Sequence, residues 1–395
     1  MTDYPTVKLR PGKGWRLSQG APWVFADEIA MDRRTRKLAP GTLVSLVEGE
    51  RALGVAAFNP NSRIAARLLD GKAGARIDVD WLAARLKTAL RFRERLFDTP
   101  FYRLVHAEGD GLPGVVIDRF GDAAVVQPNA AWAEAMLDPL LDALRSVTGC
   151  GTLVVNATSR VRQLEGLDER LEVVGDALNG PVEVPMNGAL YLADLTSGQK
   201  TGLFYDQRPN HALAARMAVG AHVLDVFCHV GGFGLAALAG GAAQVLAVDS
   251  SEAALGLARQ GAERMGVADR FDTRRSDAFE ALEGLQGERF DMVICDPPAF
   301  APNKGALEAG LRAYEKVARL AAALVSPGGV LVLCSCSHAA GIDAFHKACV
   351  TGIRKGGRGG ALIHTGRAGP DHPVHIGLPE GGYLKSLFFR LDGAG

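Results

Sequence analysis

His222-Val-Leu-Asp225-Val-Phe227-Cys228-His229-Val230-Gly231-Gly232-Phe233-Gly234 decides how this chain of 395 residues is read. An apolar run meets a glycine-rich turn and continues into a second apolar stretch, the pattern of a buried strand passing into a helix. The glycines let backbone N–H groups come close to a ligand. From about residue 205 the alternation is regular, with strands expected over 222–227, 244–249, 271–275, 292–295, 329–333, 361–364 and 385–391. Helices are expected over 208–218, 233–240, 251–265, 278–284, 307–325 and 341–354. This is the layout of a doubly wound parallel sheet, which binds ligands in the crevice at the carboxyl ends of its strands. The last strand follows its predecessor without a clear helix and is expected to run antiparallel.

Three points along this sheet suit a nucleoside. The turn at Gly231, Gly232 and Gly234 offers backbone donors, Asp249 ends the next strand where it can accept from two ribose hydroxyls, and Asp277 follows the third strand where it can hold an adenine amino group. The signal is ambiguous by itself. Gly232-x-Gly234-x-x-Ala237 with an acid at 249 also fits a dinucleotide fingerprint, and glycines can serve a tight turn and nothing more. An antiparallel last strand separates a methyltransferase sheet from a dehydrogenase sheet.

The apolar run Gly329-Val-Leu-Val-Leu333 leads into Cys334-Ser335-Cys336-Ser337, and a second run ends in Cys295-Asp296-Pro297-Pro298. Both read as buried parallel strands, so a thiol and a carboxylate meet at one crevice. That pairing suits attack on an unreactive ring carbon. Cys336 stands just before an expected helix that Ser337 can cap, and a helix N-terminus favours the thiolate. Cys334 is its rival by alternation, and both thiols can also be small core residues. Asp296 stands at the same strand edge, and Phe300 just beyond it either stacks on an unstacked base or packs in the core. Lys200, Asp206, Gln207 and Arg208 precede the first strand, where they can close over donor or phosphate; Asp206 can equally cap the following helix.

Ahead of this sheet the texture differs. Residues 1–72 hold twelve Lys or Arg against seven Asp or Glu, and Arg33-Arg34-Thr35-Arg36-Lys37 is a basic run, although the whole chain has a formal net charge of zero. Short apolar pieces at 42–47, 53–58 and 64–69, separated by Gly, Pro and Asn, read as a small β barrel. Its basic surface suits phosphate contacts or is merely solvated. An amphipathic helix over 80–97, strands over 114–118 and 123–127, a helix over 131–148 and strands near 152–157 and 181–185 make a compact α+β module ending near 190. The six cysteines show no disulfide framework, and Cys334-x-Cys336 is too tight for zinc, so no metal is expected. No apolar run of membrane length and no signal peptide is present at Met1, which leads to a cytoplasmic expectation with no membrane partner.

The series Gly198-Gln-Lys-Thr-Gly-Leu-Phe-Tyr-Asp-Gln-Arg208, Asp225 to Phe233, Asp296-Pro-Pro-Ala-Phe300, Ser335-Cys-Ser337 and Asp371-His-Pro-Val374 resembles the bacterial 23S ribosomal RNA cytosine-C5 methyltransferases, the ribosomal large subunit methyltransferase I family. The resemblance covers essentially the whole chain. It implies a multidomain α/β protein: a PUA-like RNA-binding β barrel over 1–72, a small α+β linker domain over 73–190, and a Rossmann-like methyltransferase domain over 191–395 with an antiparallel last strand. It implies S-adenosylmethionine as cofactor, large-subunit ribosomal RNA as partner, 5-methylcytidine as product and a homodimer as a possible assembly. Cys336 is then the nucleophile and Asp296 addresses the base. Asp225, Gly231, Gly232, Gly234, Asp249 and Asp277 hold the donor, with Asp206, Arg208 and Asp296 beside it. The chain departs from the family pattern at Cys228-His229-Val230, where Ser, Tyr and Thr are expected, at Ala299 in place of Lys, and at His338 in place of Gly. Two other functions stay open: methylation of a guanine or adenine nitrogen, because Asp-Pro-Pro-x-Phe is similar to the loops of amino methyltransferases, and RNA binding in ribosome assembly without catalysis.

Overall fold

A computed structural model describes residues 4–196 and 202–393, and it divides the chain into two compact units. The first comprises Met1–Gly180, Leu195–Gly202 and Pro370–Pro379, and the second Pro181–Asp194, Leu203–Gly369 and Glu380–Gly395. The expected Lys200 lies outside the described residues.

In the first unit, a five-stranded sheet is ordered Thr6–Lys8, Thr42–Glu48, Arg51–Phe58, Ala66–Asp70, Trp23–Val24 around Val7, Val44, Leu46 and Phe58. A second five-stranded sheet is ordered Arg170–Gly175, Thr152–Ala157, Ala123–Pro128, Val115–Phe120, Phe101–His106, with the helices Val79–Glu94 and Leu137–Thr148 contributing to its core. The sequence suggests two separate modules here. Instead, Val55, Ala57 and Leu69 of the first sheet belong to the core of the second, so the two sheets share apolar burial. The helix expected over 131–148 is broken at Met136 into Ala131–Ala135 and Leu137–Thr148. Pro139 explains the break, because it has no N–H to give the carbonyl of Ala135 and its ring crowds that carbonyl. The edge strand Arg170–Gly175 escapes sequence reading because it is largely exposed and shows no alternation.

A buried polar knot ties these sheets together. Glu165, 3% exposed, accepts from Asn59 Nδ2 at 3.0 Å and Ser62 Oγ at 2.9 Å and pairs with the Arg67 guanidinium at 2.9 Å. A late segment is fixed in the same way: fully buried Arg93 donates to the Asp371 carbonyl at 2.8 Å, and Asp371 Oδ2 accepts from Arg103 N at 3.1 Å.

In the second unit, seven strands are ordered Phe271–Arg275, Gln244–Asp249, His222–Val226, Phe290–Cys295, Val325–Ser335, Lys385–Leu391, Gly360–Gly366. The first five are parallel, and Lys385–Leu391 runs antiparallel to both its neighbours, as the missing helix before it implied. Pairing sets Asp225 opposite Ala247 and Ile294, and Ser335 opposite Lys385. A hairpin, Val182–Met186 with Ala189–Ala193, belongs to this unit and not to the central module; its turn has Asn187 and Gly188 at positive φ, as a two-residue hairpin loop requires. Among the described residues no helix is long and apolar enough to cross a membrane.

Glu165→Ala leaves Arg67, Asn59 and Ser62 without their shared acceptor. Removing one partner of a buried pair costs about 3–5 kcal/mol, so urea unfolding of the variant is expected to show a loss of that order, with Glu165→Gln in between.

Candidate active site

The carboxyl ends of the strands bring three acids to one edge of the second unit. Asp225 ends up fully buried, with Oδ2 accepting from Gly234 N–H at 2.8 Å while the buried Oδ1 has no partner among the described residues. Burial pushes its carboxyl up to about 8, opposed by the Gly234 N–H and reinforced by Asp296 and Asp249. Asp249, half-buried, takes His229 N–H on Oδ2 and Ser251 N–H on Oδ1, both at 2.9 Å. An ionised carboxylate has about four acceptor sites, so it retains capacity for ligand hydroxyls. Asp277 is exposed and caps the helix Ala278–Gly284, its Oδ1 accepting from Phe279 N at 2.8 Å and Glu280 N at 3.2 Å.

The turn between these acids is unusual in its backbone. Phe227 (φ 63°), His229 (φ 51°) and Gly231 (φ 83°) are left-handed within five residues, and only the last is a glycine. Such conformations cost about 1–3 kcal/mol each for other residues and cluster at ligand clamps. Gly234 is required for a different reason: a Cβ there would stand 2.9 Å from Val245 Cγ1 and 3.3 Å from Asp225 Oδ2. A cavity of about 70 Å³ opens here, lined by Leu203, Phe204, Asp225, His229, Phe233 and Asp296 among others. A larger concavity, about 520 Å³, lies at the amino ends of the strands beside His222, Gln244 and Phe290. The smaller one carries the acids and the strained turn and sits where open α/β sheets bind ligands, so it is the candidate site. The glycine cradle and the unsatisfied Asp225 oxygen fit the polar end of a nucleoside cofactor.

Beside this turn, Gln207 Nε2 donates to Asp296 Oδ2 at 3.0 Å, and Asn210 Nδ2 holds Gln207 Oε1 at 2.6 Å. Asp206 does not cap the following helix. Its Oδ2 accepts from Tyr383 OH at 2.6 Å, and the Arg208 guanidinium lies over the Tyr205 ring at 5.3 Å. Tyr383 and His211, which sits edge-on to Phe233 at 4.4 Å, carry no sequence signal that marks them. Burial holds His211 at about 3, so its ring is neutral.

The two thiols of Cys334-x-Cys336 have different surroundings. Cys334 is buried, touches Ser386 Oγ at 3.0 Å, and is pushed up well above the ordinary thiol value by burial and by Asp296. Cys336 is partly exposed, whereas the other five cysteines are buried. Ser337 does not cap the next helix, which begins with Gly341 as its cap. Its Oγ instead accepts from Ala301 N at 3.0 Å and meets Tyr314 OH at 2.7 Å, a hydroxyl that Ser335 Oγ also reaches at 2.9 Å. Phe300 packs against Tyr314 at 5.0 Å and Phe279 at 6.2 Å but remains half-buried.

A family model for a PUA-like domain matches residues 7–70, and one for an S-adenosylmethionine-dependent methyltransferase matches 162–353. Ribosomal RNA large subunit methyltransferase I of Erwinia tasmaniensis is 36% identical over 396 residues, covering 98% of this chain and 100% of its own. The chain belongs to the ribosomal RNA large subunit methyltransferase I family. The protein of that name from Klebsiella pneumoniae strain 342 is 35% identical over 99% of this chain and all of its own. As a member of the family, the methyltransferase uses S-adenosylmethionine, as the motif series implied. Its fold matches a chain described as a SAM-dependent methyltransferase from Streptococcus mutans, with a TM-score of 0.82 at 19% identity over 98% of this chain and 100% of that one. A second methyltransferase structure, complexed with SAH, matches at a TM-score of 0.82 and 20% identity over 98% and 99%.

The raised Asp225 carboxyl makes a pH prediction for the cofactor-free methyltransferase. A native value of about 8 against an ordinary 3.8 means that the folded state holds this proton more tightly. The resulting stability is fully present below the unfolded value and is lost as pH rises through the folded one. Wild type is therefore expected to lose more of its urea midpoint between about pH 5 and about pH 8 than Asp225→Asn, which carries no titrating proton.

Proposed function

We propose that this chain methylates carbon 5 of a cytosine in 23S ribosomal RNA, or in the large-subunit precursor, through a covalent adduct of Cys336. The observation that carries the proposal is the accessibility of this one thiol at the same strand edge as Asp296, while Cys334 is sealed beneath it. S-adenosylmethionine supplies an electrophilic methyl group. Asp249 orients the ribose hydroxyls, Asp277 the adenine amino group, and Asp225 with the turn at Gly231, Gly232 and Gly234 the remaining polar end. Asp206 and Arg208 flank the cofactor.

The Cys336 thiolate forms a bond to carbon 6 and moves electron density to carbon 5, which becomes able to accept the methyl group. Asp296, held by Gln207, shares a hydrogen bond with the N3 or N4 edge and stabilises the adduct. Asp296 or a water beside it then takes the carbon 5 proton, the electron pair re-forms the ring double bond, and the sulfur leaves as thiolate. Half-buried Phe300 offers a face to an unstacked base.

RNA recognition falls to the first sheet, within residues 1–72. Arg33, Arg34, Arg36 and Lys37 are all exposed around the short helix Thr35–Lys37, which suits contacts with phosphate. The same reading places the protein in the cytoplasm, as monomer or homodimer.

Three outcomes test these roles. With RNA carrying 5-fluorocytidine at the target, carbon 5 has no proton to lose, so wild type and Cys334→Ala are expected to leave a protein–RNA band on a denaturing gel and Cys336→Ala none. Normal methylation by Cys336→Ala would transfer the reading to a guanine or adenine nitrogen, a reaction that needs no thiol. Asp249→Ala is expected to weaken S-adenosylmethionine binding in calorimetry by about tenfold or more, as loss of hydrogen bonds to a bound polar group does. Replacing the four exposed cations by Ser is expected to flatten the salt dependence of RNA affinity while donor affinity holds. Point variants are the sound choice because deleting the whole module would strip Val55, Ala57 and Leu69 from the adjoining core.

A further inference from the structure

A thiol that must work as thiolate needs a positive charge nearby, and the helix N-terminus expected to supply it is not there. Ile342–Lys355 begins beyond its cap Gly341, five residues past Cys336, and Ser337 is turned toward Ala301 and Tyr314. A different cation occupies the place. Lys385 opens the antiparallel strand, directly opposite Ser335 in the register, and is only 7% exposed. Its Nζ donates to the carbonyls of Ser337 at 2.7 Å and Ala340 at 2.8 Å, bracketing the loop between the thiol and the helix. None of the ion pairs among the described residues involves Lys385, and the two carbonyls it reaches are neutral.

We propose that Lys385 is the positioning residue of the reaction: it fixes the loop that carries Cys336 and provides the charge against which the thiolate forms. This rests on the proposed role of Cys336 as nucleophile. Burial pulls the Lys385 ammonium down to about 8, and Cys336 acts in the opposite sense, so the two groups sense one another. From the loop, His338 is lowered by burial and by the Lys385 charge; from the helix Leu307–Ala322, Tyr314 is raised by burial and also by Cys336. Cys334, raised by burial and then by Asp296, lies on the strand that leads to Cys336. An ammonium and a thiol coupled in this way titrate as a pair, and the support for the thiolate lapses as pH rises past the lysine's own value.

The test follows alkylation of Cys336 by iodoacetamide in the full-length protein, as a function of pH and with peptide mass mapping. No RNA is needed, so the result is independent of whether methylation proceeds through Cys336. Lys385→Gln retains a donor for the carbonyls without the charge. It is expected to raise the alkylation midpoint by about one pH unit and to slow alkylation near neutrality about tenfold. Lys385→Arg keeps the charge and is expected to hold the midpoint close to wild type. An unmoved midpoint in a folded Lys385→Gln protein would overturn the proposal, as would equal shifts in the two variants, which would reduce Lys385 to a loop support. Should Lys385→Gln fail to fold, the reciprocal measurement decides: the lysine titration followed by carbon-13 NMR is expected to move down in Cys336→Ser, and an unchanged titration overturns the coupling. Loss of alkylation control with normal methylation by Cys336→Ala would retain the electrostatic pair and remove the covalent mechanism.

Discussion

Because Lys385–Leu391 runs against the strands on either side of it, its first residues lie at the edge where its neighbour Val325–Ser335 ends. A purely parallel sheet brings only carboxyl-terminal strand residues and their loops to that edge. Reversal of one strand supplies two side chains from an amino end: Ser386, which engages Cys334, and Lys385, which spans the loop after Cys336. The difference between the two thiols follows from this geometry. One is sealed against the reversed strand, and the other is carried past it on a loop tied down by an ammonium.

A second constraint is the crowding of acids at the same edge. Asp225, Asp249 and Asp296 end adjacent strands, and like charges in a dry setting resist joint ionisation. The protein answers the problem unequally. Asp249 is given two backbone N–H donors and partial exposure, Asp296 an amide from Gln207, and Asp225 one N–H and full burial. The left-handed residues Phe227 and His229 aim the donors, since the His229 N–H that reaches Asp249 belongs to one of them.

The sheet was legible because helix and strand periods alternate regularly from Arg208 to Gly366, and the antiparallel strand could be read from the missing helix after it. Gln244–Asp249, Phe271–Arg275 and Lys385–Leu391 stand where the apolar runs place them. What could not be read depends on distance in the chain. Gln207 meets Asp296 across 89 residues, and Tyr383 meets Asp206 across 177. No local pattern marks either pairing. The capping role expected for Ser337 failed for a related reason: a nearby hydroxyl was assigned to the nearest helix, whereas Tyr314 and Ala301 claim it from elsewhere in the fold. In the first unit, the merging of two cores through Val55, Ala57 and Leu69 was equally invisible, since an apolar strand residue does not declare which side it packs against.

The late segment Pro370–Pro379 belongs with residues that precede it by more than two hundred positions, and this bears on how the chain is made. During synthesis, Arg93 can find Asp110 early, but the Asp371 carbonyl that completes its coordination emerges 278 residues later. The backbone N–H of Arg103 waits for the same residue. The first unit therefore cannot close its buried polar contacts until residue 371 has left the ribosome, and a nascent chain stalled before that point holds an unfinished first unit, however long it pauses.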